Sequence, residues 1–297
     1  MKNLEGRQVL VTGAASGIGL ECARAFAKRG ARLVVSDVNE QALEAVRAEL
    51  VAGGVPCLAR TCDVSREDSV LELAAAVHST VGPLDVLVNN AGVAFLGGFE
   101  ETPLSEWRRI HDINVMGIVH CVRAFLPRMR QAGGARKIVN VASAAGFAPM
   151  PNMSAYAASK HAVVGLSEVL AMELHDTDIS VLVVCPGIIN TAIVHVSPTS
   201  SSMSAEQVQK LQRYYETDGC HPALVAGDIV RSVENDATFL FTGPLAKLGH
   251  AGMRLSRRLA RRLAVATAKK SGYLADQARQ SRITRRGAGG RSSAGPR

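Results

Sequence analysis

Aromatic side chains are scarce in this 297-residue chain, with 7 Phe, 4 Tyr and 1 Trp. Proteins that hold single-stranded nucleic acid stack bases on aromatic rings. The most basic part of the chain offers only Tyr273 for that purpose, so nucleic acid is not expected as a partner. Paired cysteines are also lacking: Cys22, Cys57, Cys62, Cys121, Cys185 and Cys220 are scattered, with no C-x-x-C. That argues against a disulfide scaffold and against a metal site, and it fits reduced thiols in the cytoplasm. No apolar run reaches the roughly 18 residues of a spanning helix. No signal-peptide core precedes the strand pattern that begins near Gln8. A cytoplasmic location is therefore expected.

Acidic residues are almost missing from one region. Residues 245–297 hold 14 of the 34 Lys+Arg but only Asp276 of the 26 Asp+Glu, a net charge of +13. Residues 1–244 carry 20 basic and 25 acidic residues, a net charge of −5. The overall +8 thus splits into a mildly acidic body and a basic appendage. A basic appendage suits an anionic partner.

Apolar material is plentiful at 47% of residues, enough for a large core. Short Val/Ile/Leu runs at 7–12, 32–36, 56–62, 84–89, 137–142 and 179–185 alternate with helical spacing at 17–29, 40–52, 66–80, 104–131 and 154–175. Strands that alternate with helices imply right-handed crossovers and a parallel sheet covered on both faces. The expected class is α/β, a doubly wound sheet whose seventh, edge strand lies at 237–242. Residues 190–204 read as a polar, mobile loop, and 205–215 and 222–233 as helices. A single basic amphipathic helix is expected at 245–270, with Leu255, Leu259 and Leu263 on one side, and 287–297 reads as disordered. Two units follow: an α/β domain over 1–244 and an extension over 245–297.

The first strand-to-helix turn is TGAASGIG, with Gly13, Ser16, Gly17, Ile18 and Gly19 placed where a phosphate can meet a helix N-terminus. Asp37 ends the second strand, 18 residues after Gly19, where a carboxylate accepts from ribose hydroxyls and repels a 2′-phosphate. No Lys or Arg lies in the turn, so NAD is expected in preference to NADP. Asp63 and Val64 end the third strand and suit an adenine edge. Asp63 equally suits the cap of the following helix. Asn90, Ala91 and Gly92 follow the fourth strand, and their small size suits close passage of a flat ring.

Ser143 follows the fifth strand, with Tyr156 and Lys160 thirteen and seventeen residues beyond. The Tyr-x-x-x-Lys spacing puts both side chains on one helix face. A neighbouring ammonium favours the phenolate and should lower the Tyr156 pKa. Together with NNAG at 89–92, Asn114, YAASK at 156–160 and the pair Pro186-Gly187 followed by Thr191, these motifs cover roughly residues 5–243. In that order and spacing the chain resembles the single-domain short-chain dehydrogenase/reductase family.

The resemblance implies a Rossmann-like fold and hydride transfer between NAD(H) and a secondary alcohol or ketone. Tyr156 is then the general acid/base, and Ser143 orients the substrate oxygen. Lys160 binds nicotinamide ribose hydroxyls, and Asn114 holds a water that links Lys160 to solvent. Pro186, Gly187, Ile188 and Thr191 meet the nicotinamide end. The resemblance also implies a homodimer or homotetramer.

Val93, Phe95, Leu96, Phe147, Met150, Met153, Ile188, Ile189, Ile193 and Val194 make the substrate side apolar, unless some of them only pack the lid. His195 reads as an exposed loop residue. The extension departs from the short family type, which usually ends soon after the seventh strand. It either packs a basic helix on its own domain, takes part in the subunit interface, or touches an anionic bilayer. A catalytically vestigial nucleotide-binding scaffold is the alternative to an enzyme, and the complete Asn114, Ser143, Tyr156, Lys160 set argues against it.

Overall fold

A computed structural model of the chain describes residues 1–191 and 202–274. The expected mobile loop falls mostly, and the expected disordered end wholly, outside the described residues, as do Ile193, Val194 and His195. Seven strands form one sheet: β1 (Gln8–Thr12), β2 (Arg32–Asp37), β3 (Cys57–Thr61), β4 (Val86–Asn89), β5 (Arg136–Val141), β6 (Ile179–Pro186) and β7 (Phe239–Thr242). Their order is β3-β2-β1-β4-β5-β6-β7, and every neighbouring pair is parallel. β7 is an edge strand, as its short aromatic pattern suggests.

The strand sequences are apolar on both sides because helices cover both faces. Val9, Val11, Val35 and Val88 bury against α1 (Gly17–Ala27), α2 (Glu40–Ala52) and α8 (Pro222–Glu234). The alternate residues Leu10, Val34, Leu87 and Ile138 bury against α3 (Glu67–Thr80), α5 (Gly117–Ala132) and α6 (Ser154–Glu173). The period of two along each strand thus feeds two separate cores.

One expected helix is continuous but carries a π-helical turn, and another is broken. The stretch at 104–131 divides into α4 (Leu104–His111), a π-helical turn (Asp112–Met116) and α5. Asn114 lies in that turn, fully buried, and its side chain is tied to the backbone of Val93 instead of to its own helix. The basic stretch at 245–270 divides into α9 (Ala246–Leu255) and α10 (Arg257–Ser271). Ser256 separates them because it is extended, at φ −156°, and its side chain caps α10 at Leu259 N–H. α7 (Ala205–Asp218) begins with a capping box between Ser204 and Gln207. Among the described residues, no helix is long and apolar enough to cross a membrane.

Candidate active site

The carboxyl ends of β1, β4, β5 and β6 open into one cavity of about 900 Å³, the place where ligands sit in open α/β sheets. All the residues singled out for cofactor binding line it, except Gly19. The glycine turn is held by close backbone packing. A Cβ on Gly13 would lie 2.8 Å from the Ala91 Cα, and one on Gly19 would lie 2.0 Å from the Gly13 carbonyl oxygen. Gly19 therefore stands behind the wall and lets α1 approach the turn. Asn90 donates through Nδ2 to the carbonyls of Thr12 (3.0 Å) and Gly13 (3.1 Å), which ties the β4 turn to the β1 turn.

The N-terminus of α1 points into this space. Ser16, its N-cap, makes no side-chain capping bond, and the first turn has no acidic residue. The free N–H groups and the helix dipole thus suit an anion such as a pyrophosphate. Asp37 sits at the rim of the turn and accepts from Ala15 N–H (3.0 Å) and Asn39 N–H (3.0 Å). Asp63 accepts from the Ser65 backbone N–H (3.0 Å) and hydroxyl (2.7 Å) while also lining the cavity. The residue at the cap of α3 is Arg66, so Asp63 shapes the turn before the helix. Thr191 reaches back to within 3.4 Å of a Cβ built on Gly17, closing the far side of the cavity at the glycine turn.

Ser143, Tyr156 and Lys160 meet on the cavity wall. Ser143 caps a short 3-10 turn (Ala144–Gly146) by accepting from Ala145 N–H, 3.1 Å away. Ser143 is the polar side chain that bears on the Tyr156 hydroxyl. Lys160 donates to the Val141 carbonyl at 2.8 Å, and its Nζ lies 5.7 Å from the centroid of the Tyr156 ring. Burial pushes the Tyr156 phenol above its ordinary value, and only the nearby Ser143 works the other way. The lowering expected from Lys160 is absent: its Nζ is turned to the Val141 carbonyl, and the same burial pushes the Lys160 pKa itself down to about 8. Asn114 is behind the wall. It accepts from Val93 N–H (2.8 Å) and donates to the Val93 carbonyl (3.0 Å) and the Ser159 hydroxyl (3.0 Å).

At the substrate end Val93, Leu96, Met150, Met153, Ile188 and Ile189 line the cavity, as the apolar reading expects. Phe95 and Phe147 do not. Phe95 packs with Ile110 and Ala155, and Phe147 packs with Phe239, Phe241 and His250. The ring of His250 stacks on Phe241 at 4.4 Å and seats α9 against β7.

The sequence reading missed the roof. Leu248, Met253, Ala260, Leu263, Ala264 and Tyr273 of the extension line the same cavity, together with Tyr214 and Tyr215 of α7. The four-residue spacing of leucines over 255–263 signalled an amphipathic helix but not what lies beneath it. The lone aromatic of the extension, Tyr273, was the only other clue.

Comparison with known proteins agrees with this architecture. The family pattern described as short chain dehydrogenase matches residues 7–201. The chain is 36% identical over 231 residues to a Mycobacterium tuberculosis protein named "Probable oxidoreductase EphD", covering 76% of this chain and 39% of that one. The chain thus spans about two fifths of the length of that relative. A short-chain dehydrogenase/reductase from Burkholderia phymatum, solved in complex with NAD, superposes with a TM-score of 0.80 at 31% identity over 89% of this chain and 97% of that one. An actinorhodin polyketide ketoreductase variant, solved with NADPH, superposes with a TM-score of 0.71 at 33% identity over 81% and 96%.

Fold and cavity together define a Rossmann-like dinucleotide-binding class. Within it, this chain belongs to the short-chain dehydrogenase/reductase family, a family of oxidoreductases.

Proposed function

We propose that the protein transfers a hydride between NAD(H) and an apolar secondary alcohol or ketone. The observation that carries this reading is the meeting of Ser143, Tyr156 and Lys160 on the wall of the cavity that also receives the glycine turn. A bound nicotinamide supplies or accepts the hydride. The chain's own residues place the substrate and move a proton. Ser143 holds the substrate oxygen, and Tyr156 gives a proton to it or takes one from it. Lys160 binds ribose hydroxyls from its position beside Val141. Asn114 fixes the Val93 backbone next to the site, and its π-helical turn holds a water between Lys160 and solvent. Asp37, at the rim of the turn, favours NAD over NADP because its carboxylate repels a 2′-phosphate. A cytoplasmic location and a homodimeric or homotetrameric assembly belong to the same reading.

A screen of secondary alcohols and ketones, followed by NADH absorbance, tests the reaction class. Tyr156→Phe should abolish turnover while NADH fluorescence still reports binding. Turnover that survives this change would sink the mechanism.

A further inference from the structure

Helices α9 and α10 have two faces, and both bear on the cavity. Inward, Gly252, Met253, Ala260 and Ala264 form part of its wall. Leu248 and Leu263 also line it, yet they are 73% and 60% exposed. A side chain that borders the cavity and is mostly solvent-exposed marks a mouth, so the cavity opens at the surface on this helix pair. Outward, Leu255 and Leu259 are 87% and 57% exposed. Leu248 and Leu255 are seven residues apart, and Leu259 and Leu263 four apart, so each pair shares a helix face. Water-facing helices rarely carry such rows of leucine, and an apolar patch of this kind marks an interaction site.

The charge around these leucines is of one sign. Arg257, Arg258, Arg261 and Arg262 flank them on α10, followed by Lys269 and Lys270. No Asp or Glu occurs anywhere between Leu245 and Leu274. A basic amphipathic helix with exposed leucines is the pattern of a segment that lies in the headgroup layer of an anionic bilayer. An acidic protein surface would answer the charges but would not require a leucine-rimmed opening into an apolar cavity.

We propose that the outer face of α9 and α10 rests on an anionic lipid surface, and that the mouth between Leu248 and Leu263 takes an apolar alcohol or ketone with an alkyl chain directly from the bilayer. The substrate half of this statement rests on reading the cavity as the site of hydride transfer. The docking half does not.

The test uses the full chain and vesicles of phosphatidylcholine, with or without phosphatidylglycerol. The protein should float with the anionic vesicles and not with the neutral ones. Raised salt should release it, since each basic residue near such a surface contributes roughly fivefold in affinity. Two double variants, Leu255→Ser/Leu259→Ser and Arg257→Glu/Arg258→Glu, should each lower flotation by roughly tenfold or more. None of these four side chains borders the cavity, so NADH binding and turnover of a small water-soluble ketone should stay unchanged. Turnover of a long-chain 2-alkanone carried in anionic vesicles should fall at least about fivefold in both variants.

Absence of flotation with anionic vesicles overturns the proposal, as does equal flotation of variants and wild type. A leucine variant that halves the sedimenting mass without changing flotation also overturns it, by making the face an interface between copies. If a variant does not fold, the salt dependence of the wild type still decides the docking half. Flotation without turnover of any ketone would leave docking standing and remove the hydride-transfer reading.

Discussion

The phenol hydroxyls of Tyr215, on α7, and Tyr273, just after α10, are hydrogen-bonded to each other across 58 residues of sequence. Both rings line the cavity that holds Tyr156. Burial pushes the Tyr215 phenol up to about 12 and the Tyr273 phenol well above its ordinary value, so both remain neutral hydroxyls at physiological pH. Asn152 donates to the Tyr273 carbonyl, pinning the same point from the opposite side of the site. The extension is therefore fastened just after α10, beside Tyr156, as well as at its origin by His250.

Removing one of the two hydroxyls leaves the other buried without its partner. Tyr273→Phe should destabilise the protein by about 1–3 kcal/mol. Tyr215→Phe/Tyr273→Phe together should cost less than the sum of the two single changes, since the orphaned group disappears. Urea denaturation of the four proteins forms the cycle, and strict additivity would show that the hydroxyls are not coupled.

Gly272 ends α10 at φ +96°, and a Cβ there would lie 2.8 Å from the Gln207 carbonyl oxygen of α7. Gly272→Ala should therefore push the end of the extension off α7, at a cost of about 1–3 kcal/mol. Faster amide exchange at 268–274, with the sheet unchanged, is the expected result. Unaltered exchange would mean that the close approach to α7 is not required.

Asp37 borders the cavity with its carboxylate accepting from Ala15 N–H. Asp37→Ala should lower the preference for NAD over NADP by about 10- to 100-fold, the worth of roughly 1–3 kcal/mol of lost hydrogen bonds and repulsion. The ratio of kcat/KM values for the two cofactors reads it directly, and an unchanged ratio would assign selectivity elsewhere.

Lys160 is buried, and desolvation holds its pKa at about 8 against an ordinary value of 10.5. Below about pH 8 the folded protein keeps a buried ammonium at full cost. Between the two values the unfolded chain holds a proton that the folded protein has released, so this cost fades as pH rises. Lys160→Met removes the titration. Its stability relative to wild type should fall by about 3 kcal/mol between about pH 7 and about pH 10.5. A difference that does not change with pH would place the charged ammonium in a better-solvated setting than its burial implies.

The parallel order of strands was legible because each strand is a short Val/Ile/Leu run and each connection is long enough for a helix. The turn of Gly13–Gly19 and the Tyr156–Lys160 pair were legible for a related reason. Their chemistry depends on spacing within one strand-turn-helix or along one helix face, and spacing is written in the sequence. Asn114 was legible only through resemblance. Its buried position and its paired hydrogen bonds to Val93 come from a π-helical turn that the apolar pattern of 104–131 does not reveal. The Tyr156 phenol went the other way from expectation, because proximity of Lys160 can be read from spacing while burial of both groups cannot.

Local sequence alone determined the α/β class, the place of the glycine turn, and the charge contrast between an acidic body and a basic extension. Periodicity, glycine placement and charge are properties of neighbouring residues. Only the tertiary structure decided where that extension goes. Tyr273 meets Tyr215, Phe147 turns away from the cavity to meet His250, and Leu263 comes to stand at the cavity's mouth. Each of these is a contact between segments far apart in the chain, settled by which apolar surfaces remain uncovered once the sheet and its helices have packed.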